Sequence, residues 1–222
     1  MRDLRNLPSQ VLDRLADAFG SEAVNERHRG VDIDYRGRTL EHRAHRGVEV
    51  RKTDSGDPVI TGYATVYDHA YPIWGGAERG GWDETITRGA ADKSVTEQDD
   101  VFLFFDHDGL PLARSSSKTL RLESDKIGLF SEAVADQRSP YSMEIVHRLD
   151  RGDLDAMSFA FQATRQEWNA DYTERFITEV KLFDVSVVSF PANPATVAQV
   201  RATPVASGMP LSLARAISLS LT

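Results

Sequence analysis

The sequence has no cysteine, which excludes a disulfide framework, a thiolate nucleophile and a zinc site with cysteine ligands. It also lacks an apolar run long enough to span a bilayer, and its charged first residues have no apolar segment of the kind found in secretory signals. We therefore expect a cytoplasmic protein with no membrane partner.

Basic residues are fewer than acidic residues. Lys and Arg number 26 against 34 Asp and Glu, and the formal net charge is −8. Affinity for the phosphate backbone depends mainly on clustered Lys and Arg, so this balance disfavours a nucleic-acid partner.

The length and the hydrophobic content indicate one globular domain with appendages. A chain of 222 residues with 41% hydrophobic content can bury a substantial core. Residues 9–19 have the apolar spacing of a short amphipathic helix capped by Ser9, and the charged residues up to 47 show no periodicity. We assign residues 1–47 to this helix and a flexible extension, 48–197 to a β-rich domain and 198–222 to a tail.

Several segments of the central domain have the pattern of β-strands. The segments 48–50 with 59–67, and 120–123 with 129–135, predict two hairpins. The apolar run 101–105 suits a strand buried on both faces, 71–81 predicts a glycine-rich loop, and 82–93 predicts a short helix. The clearest helix begins after the capping residue Ser139, has Pro140 at its first position and stops at Gly152.

Ser158 lies in residues 154–161, a segment that has the pattern of a β-strand and around which the rest of the chain is organised. Alternation along a strand puts Met157, Phe159 and Phe161 on one face and Ser158 between two alanines on the other. A serine presented on such an open face can act as a nucleophile if a base activates it. The alternative is a polar residue on the wet side of a half-buried strand.

Two further residues supply the groups that such a nucleophile needs. His107 directly follows the apolar run 101–105, and Asp184 lies inside the apolar strand pattern at 180–190. A carboxylate there is costly without a partner, so it either orients His107 or has a structural role, in which it caps a backbone turn or pairs with an arginine. His107, in turn, has three possible interpretations: a general base, a polar residue that only makes structural hydrogen bonds, or a metal ligand beside Asp106 and Asp108.

The order of these residues narrows the choice of scaffold. The histidine comes first, then the serine, then the aspartate, and no Gly-x-Ser-x-Gly motif surrounds Ser158. In the familiar serine hydrolase folds the catalytic residues follow one another along the chain in other orders, so those folds are excluded for this protein.

Four sequence blocks resemble the prohead proteases of tailed phages, over about residues 59–197. The blocks are Gly62-Tyr63-Ala64 with Val66-Tyr67, Phe105-Asp106-His107-Asp108, Met157-Ser158-Phe159-Ala160-Phe161, and Asp184-Val185-Ser186 followed by Pro191-Ala192-Asn193-Pro194. They occur in the order and at the spacing of that family.

The resemblance implies a mainly β, α+β fold, namely a closed and mostly antiparallel β-barrel with peripheral helices, similar to the herpesvirus assemblin proteases. It implies that Ser158 is the nucleophile and His107 the base. Herpesvirus enzymes use a second histidine as the third member and phage relatives commonly use an acidic residue, which we assign to Asp184, with Glu179 as the runner-up. No cofactor and no metal is expected.

The resemblance also implies the biological setting. Members of the family act inside the immature procapsid in the host bacterial cytoplasm, where they cut scaffold segments from the coat protein and usually process themselves. We therefore expect a serine endopeptidase with the major capsid protein and scaffold segments as substrates, acting as a homo-oligomer such as a dimer. The N-terminal extension and the tail would be targeting or self-cleaved segments.

Two alternatives belong to other functional classes. One is a non-catalytic capsid-assembly module on the same barrel, but a degenerate member should have lost Ser158 or His107, and both are present. The other is a metal-dependent hydrolase built on Asp106, His107 and Asp108, which lacks a second histidine at ligand spacing.

The sequence departs from the family pattern at two places. Ala160 stands where the family usually has glycine, which adds only a methyl group. Residues 114–119, with three consecutive serines, replace a glycine-rich approach to the next strand. Neither departure removes a catalytic atom.

Overall fold

Eleven β-strands dominate the described part of the chain. The computed structural model describes residues 8–11, 13–14, 41–52, 56–97 and 99–189. The strands are β1 (Glu41–Arg46), β2 (Val48–Lys52), β3 (Pro58–Val66), β4 (Ala70–Ile73), β5 (Trp82–Ile86), β6 (Phe102–Phe105), β7 (Asp108–Arg114), β8 (Leu120–Ser124), β9 (Gly128–Val134), β10 (Ala156–Trp168) and β11 (Glu174–Val188). Two α-helices, α1 (Asp92–Thr96) and α2 (Pro140–Arg151), and a 3₁₀ turn at Ala77–Arg79 lie between them. This composition confirms a mainly β fold with a few helices.

The strands form two sheets. In the seven-stranded sheet the order is β1-β10-β11-β5-β4, and β6, which carries β7 on its outer side, pairs with a later part of β11. In the four-stranded sheet the order is β2-β3-β9-β8. Among the described strands only β5 and β6 run parallel to their neighbour β11, so the pairing is mostly antiparallel, as predicted.

The closed barrel that the family resemblance implies is not confirmed. In the described residues the hydrogen-bonded strands make two separate sheets, and no ladder joins β1 to β4 at the two ends of the long path. Gly47 alone separates β1 in one sheet from β2 in the other, with a φ of 117° that favours glycine. The chain therefore passes from sheet to sheet through a corner.

The two sheets come close together beside this corner. A Cβ atom on Gly62 of β3 would lie 2.7 Å from the carbonyl oxygen of Gly47 and 2.9 Å from the sulfur of Met157. Side chains from both sheets make one continuous core, whose largest fully buried members include Trp82, Phe159, Phe161, Ile60 and Leu129. Phe159 and Phe161 stack with a centroid distance of 4.5 Å, so the bulky face of β10 anchors the core as predicted.

Helix α2 has the predicted boundaries. The Ser139 hydroxyl accepts a hydrogen bond from the Ser142 N–H at 3.2 Å, Pro140 is the first helical residue, and Gly152 ends the helix with a φ of 80°. One stripe of the helix, including Ile145 and Leu149, is buried. The chain then enters β10, the strand that contains Ser158.

Both predicted hairpins are confirmed by the antiparallel pairs β2–β3 and β8–β9. The helix predicted at residues 9–19 is confirmed only at its start, because residues 9–11, 13 and 14 are helical and the others lie outside the described residues. The tail, with its amphipathic segment at 211–221, also lies outside them. No helix in the described ranges is long and apolar enough to cross a membrane.

Four predictions about local structure are wrong. Residues 41–46, assigned to the extension, form β1. Residues 71–73 of the predicted loop 71–81 belong to β4, and residues 82–86 of the segment 82–93, in which a short helix was predicted, form β5. In β1 and β5 charged residues take inward positions, among them Arg43 and Glu84, and they interrupt the apolar alternation that is typical of a strand. The run 101–105 is buried on one face only, because Leu103 is inaccessible whereas Phe102 and Phe104 are half-buried.

Candidate active site

Ser158 lies near the start of β10, where β10 pairs with β1 on one side and with β11 on the other. Its register partners are Ala44 on β1 and Ser186 on β11. Ser158 is only 1% exposed, so it lies neither on the wet side of a half-buried strand nor on the open face that the alternation predicts. Its Oγ lies 2.8 Å from Nε2 of His107, which is hydrogen-bonding distance.

His107 is delivered by a tight turn between β6 and β7. Phe105 pairs with Asp108, so Asp106 and His107 are the two central residues of a hairpin, and their φ angles are 50° and 60°. Positive φ at both positions is typical of a type I′ turn, whose twist matches that of the flanking strands. The imidazole therefore sits at the tip of a rigid hairpin.

The turn is tied to the end of β11 by the side chain of Asp106. Its carboxylate accepts one hydrogen bond from the backbone N–H of Ser189 at 2.7 Å and another from the Ser189 hydroxyl at 2.9 Å. The backbone N–H of Asp106 also donates to the carbonyl of Val187 at 2.9 Å. These bonds fix the position from which His107 reaches over β11.

Asp184 on β11 lies on the other side of the imidazole from Ser158. Its Oδ1 is 2.6 Å from Nδ1 of His107, and the residue is buried. A proton on Nδ1 then bonds to the carboxylate and leaves Nε2 free to accept the proton of Ser158. The structure thus brings together the three residues that the sequence analysis singled out, in the geometry that nucleophilic catalysis needs.

Glu179, the runner-up for the third position, has other partners. It accepts hydrogen bonds from the Thr164 hydroxyl at 2.8 Å and from Lys93 at 3.3 Å. These two bonds lower the pKa of Glu179 below its ordinary value. The carboxylate is therefore engaged at the surface, by residues of β10 and α1.

The residues of the metal-site alternative also have other partners. Asp106 binds Ser189, and Asp108 accepts a hydrogen bond from the N–H of Gly109 at 2.7 Å. Within the described ranges no group of three or more His, Asp or Glu side chains has an arrangement that could hold a metal ion.

An aromatic pair borders the triad on β6. Phe102 and Phe104 are the register partners of Asp184 and Ser186, and their rings stack with a centroid distance of 5.7 Å. The guanidinium of Arg114 lies 4.7 Å from the centroid of Phe102 and is paired with Asp100. The rim of the site beside Asp184 is therefore apolar and partly exposed.

A family model described as the caudovirus prohead serine protease matches residues 46–209, about three quarters of the chain. The chain belongs to this family. It is a serine protease of procapsid maturation, as the sequence resemblance implies.

Other comparisons add little to the assignment of this prohead protease. None of the curated proteins matches it. A solved structure, the bacteriophage T4 capsid assembly protease gp21, is 11% identical, with a TM-score of 0.46 over 67% of this chain and 96% of that one. Similarity at this level is too low to support a functional inference.

A buried ionic cluster in this prohead protease was missed by the sequence analysis. Its members, almost inaccessible to solvent, are Glu41 and Arg43 on β1, Tyr71 on β4, Glu84 on β5 and Arg175 on β11. Arg43 donates to both oxygens of Glu84, at 2.5 and 3.0 Å, and Arg175 donates to Glu84 at 2.8 Å and to Glu41 at 2.6 Å. The contacts join β1 to β5 across the sheet, although no backbone ladder links these strands.

The electrostatics of this cluster explain why it can be buried. Burial alone would raise the pKa of Glu84, but Arg43 and Arg175 outweigh it and lower that pKa well below its ordinary value. Burial and the charge of Glu84 raise the pKa of Tyr71, whose hydroxyl donates to the carboxylate at 2.6 Å. One feature of the sequence indicates this cluster, namely the alternation Trp82-Asp83-Glu84-Thr85-Ile86, in which Glu84 takes an inward position between two apolar residues.

Proposed function

We propose that this prohead protease is a serine endopeptidase with Ser158 as nucleophile, His107 as general base and acid, and Asp184 as the residue that orients His107. The observation that carries the proposal is the chain of two short contacts, 2.8 Å from Ser158 Oγ to His107 Nε2 and 2.6 Å from His107 Nδ1 to Asp184 Oδ1. Family membership supports the class of reaction independently.

The geometry supports a two-stage reaction. Ser158 Oγ bonds to the scissile carbonyl carbon as its proton passes to His107 Nε2, and Asp184 stabilises the resulting imidazolium. His107 then returns the proton to the leaving amine as the peptide C–N bond breaks. Water, deprotonated by His107, finally hydrolyses the acyl-enzyme and regenerates Ser158.

The substrates are, by the same proposal, segments of the major capsid protein and of the scaffold, together with segments of the protease itself. The family description supports a site of action inside the prohead. Homo-oligomerisation stays a prediction, which sedimentation velocity of the purified protein measures directly.

The test is labelling with a serine-directed fluorophosphonate, followed by peptide mass mapping. We expect an adduct at Ser158, none in Ser158→Ala, and a labelling rate at least on the order of 1000-fold lower in His107→Ala and Asp184→Ala. The matched control is His147→Ala, because His147 is an exposed histidine on α2 and should label like the wild type.

Other outcomes would select the alternatives. A folded protein that forms no adduct at Ser158 would favour a non-catalytic capsid-assembly module. Peptide cleavage that survives Ser158→Ala but is inhibited by a chelator would favour metal-dependent hydrolysis.

A further inference from the structure

Ser186 is a fully buried serine next to the triad, and the reaction proposed above gives it no role. It follows Asp184 by two positions on β11, so both side chains lie on the same face of the strand. On the neighbouring strand its register partner is Ser158. Ser186 thus lies beneath the imidazole of His107, beside Ser158 and Asp184.

The Ser186 hydroxyl contacts two triad members at once. It donates a hydrogen bond to Oδ1 of Asp184 at 3.0 Å, and its Oγ lies 3.1 Å from Nδ1 of His107. The same Asp184 oxygen is 2.6 Å from Nδ1. The three atoms form a closed triangle of hydrogen-bonding distances.

A hydroxyl has one proton to donate, and here that proton is directed at Asp184. The oxygen then presents only lone pairs to Nδ1 of His107, as the Asp184 carboxylate also does. Two acceptors facing Nδ1 favour the tautomer with the proton on Nδ1, which is the tautomer that leaves Nε2 free for Ser158. The bond to Oδ1 also restricts rotation of the carboxylate, whose terminal torsion is otherwise soft.

We infer that Ser186 is a positioning residue, which fixes the carboxylate of Asp184 and the tautomer of His107 and so acts on Ser158 through both. The inference rests on the proposed function, since a positioning residue requires a working triad. It adds a fourth side chain to the three that the sequence analysis assigned.

The first experiment compares Ser186→Ala with Ser131→Ala. Ser131 is an equally buried serine on β9, and its hydroxyl has no hydrogen-bond partner among the described residues, so it controls for the loss of a buried hydroxyl as such. We expect the rate of fluorophosphonate labelling at Ser158 to fall about tenfold in Ser186→Ala, as befits loss of a hydrogen bond to a charged group, and to stay within about twofold in Ser131→Ala. Thermal unfolding verifies that both variants fold.

The second experiment separates positioning from mere stability. The Ser186 hydroxyl presents only lone pairs to His107 while Asp184 accepts its proton, so both of its effects require Asp184. Removal of Ser186 should therefore matter little once Asp184 is gone, and Ser186→Ala should cost less than about twofold in an Asp184→Ala background. A purely structural hydroxyl would cost the same factor in both backgrounds. The proton NMR signal of His107 Nδ1–H, which needs no substrate, should shift or broaden in Ser186→Ala and not in Ser131→Ala.

The outcomes distinguish this inference from the proposed function. The role of Ser186 alone is overturned if the wild type is labelled at Ser158 and Ser186→Ala is labelled at the same rate. It is also overturned if Ser186→Ala still lowers the labelling rate about tenfold in the Asp184→Ala background. Absence of a wild-type adduct overturns the proposed function, and the inference with it.

Discussion

At the scale of single residues, the position of His107 depends on a neighbour that does no chemistry. Asp106 takes a positive φ, which aspartate tolerates better than most residues, and its carboxylate holds both the N–H and the hydroxyl of Ser189. Both acidic neighbours of His107 are exposed, and within the described ranges Asp108 accepts a hydrogen bond only from the adjacent Gly109 N–H. The two aspartates therefore have different structural roles.

We expect Asp106→Ala to lower the rate of labelling at Ser158 about tenfold, because two hydrogen bonds to a charged group are lost and alanine is strained at this φ. Asp106→Asn should stay within about threefold of the wild type, since asparagine keeps an acceptor oxygen and tolerates the turn. Asp108→Ala is the control and should label normally. If Asp108→Ala were as impaired as Asp106→Ala, the cause would be the loss of negative charge in the hairpin and not the loss of the hydrogen bonds between Asp106 and Ser189.

At the scale of elements, β1 is one of the strands that the sequence analysis missed. It pairs with β10 along the whole segment that contains Ser158 and supplies Glu41 and Arg43 to the buried ionic cluster. An edge strand with inward charges has no apolar period, so its pattern is that of a polar extension. Glu41 and Arg43 bond to each other, and their further partners in the cluster come from β5 and β11.

Two truncations test the contribution of β1. A chain that begins at residue 48 removes it, and a chain that begins at residue 41 keeps it. We expect the shorter chain to be less stable than the longer one by at least about 3–5 kcal/mol in urea unfolding, because Glu84 and Arg175 lose buried partners. Equal stability of the two chains would show that residues 41–46 are dispensable, as the assignment to a flexible extension implies.

At the scale of the whole molecule, the buried cluster predicts acid sensitivity. The pKa of Glu84 is lowered from its ordinary value of 4.5, so its contribution to stability is complete above about pH 4.5 and is lost as the pH falls through its folded value. Because the cluster joins β1, β4, β5 and β11, loss of this charge weakens contacts across the seven-stranded sheet. The free energy of unfolding should therefore fall steadily below pH 4.5.

We expect Glu84→Gln to lose about 3 kcal/mol of stability at pH 7 and to show a shallower decline between pH 4.5 and 2, measured by urea unfolding. Asp100→Asn is the control. The hydrogen bond from Arg114 likewise lowers the pKa of Asp100 to about 2, but this pair is exposed to solvent and should contribute at most about 1 kcal/mol. A larger effect of Asp100→Asn than of Glu84→Gln would contradict the role of the buried cluster.

The sequence by itself determined the elements and residues whose chemistry is local. Apolar alternation around Ser158, the cap and stop of α2 and the two hairpins all follow from neighbouring residues. The candidate site residues Ser158, His107 and Asp184 could be named because a hydroxyl between alanines, an imidazole after an apolar run and a carboxylate inside an apolar strand are each unusual. Family motifs then tied them to one reaction.

Only the tertiary structure decided what depends on residues far apart in the chain. It chose Asp184 over Glu179 as the neighbour of His107, placed Ser186 against both, and made strands of β1 and β5 by neutralising their inward charges against each other. It also formed two sheets that meet at Gly47 where the resemblance implies a closed barrel. The physical reason is the same throughout: a buried polar group is stable only with a partner, and the partners here come from strands that are distant in sequence.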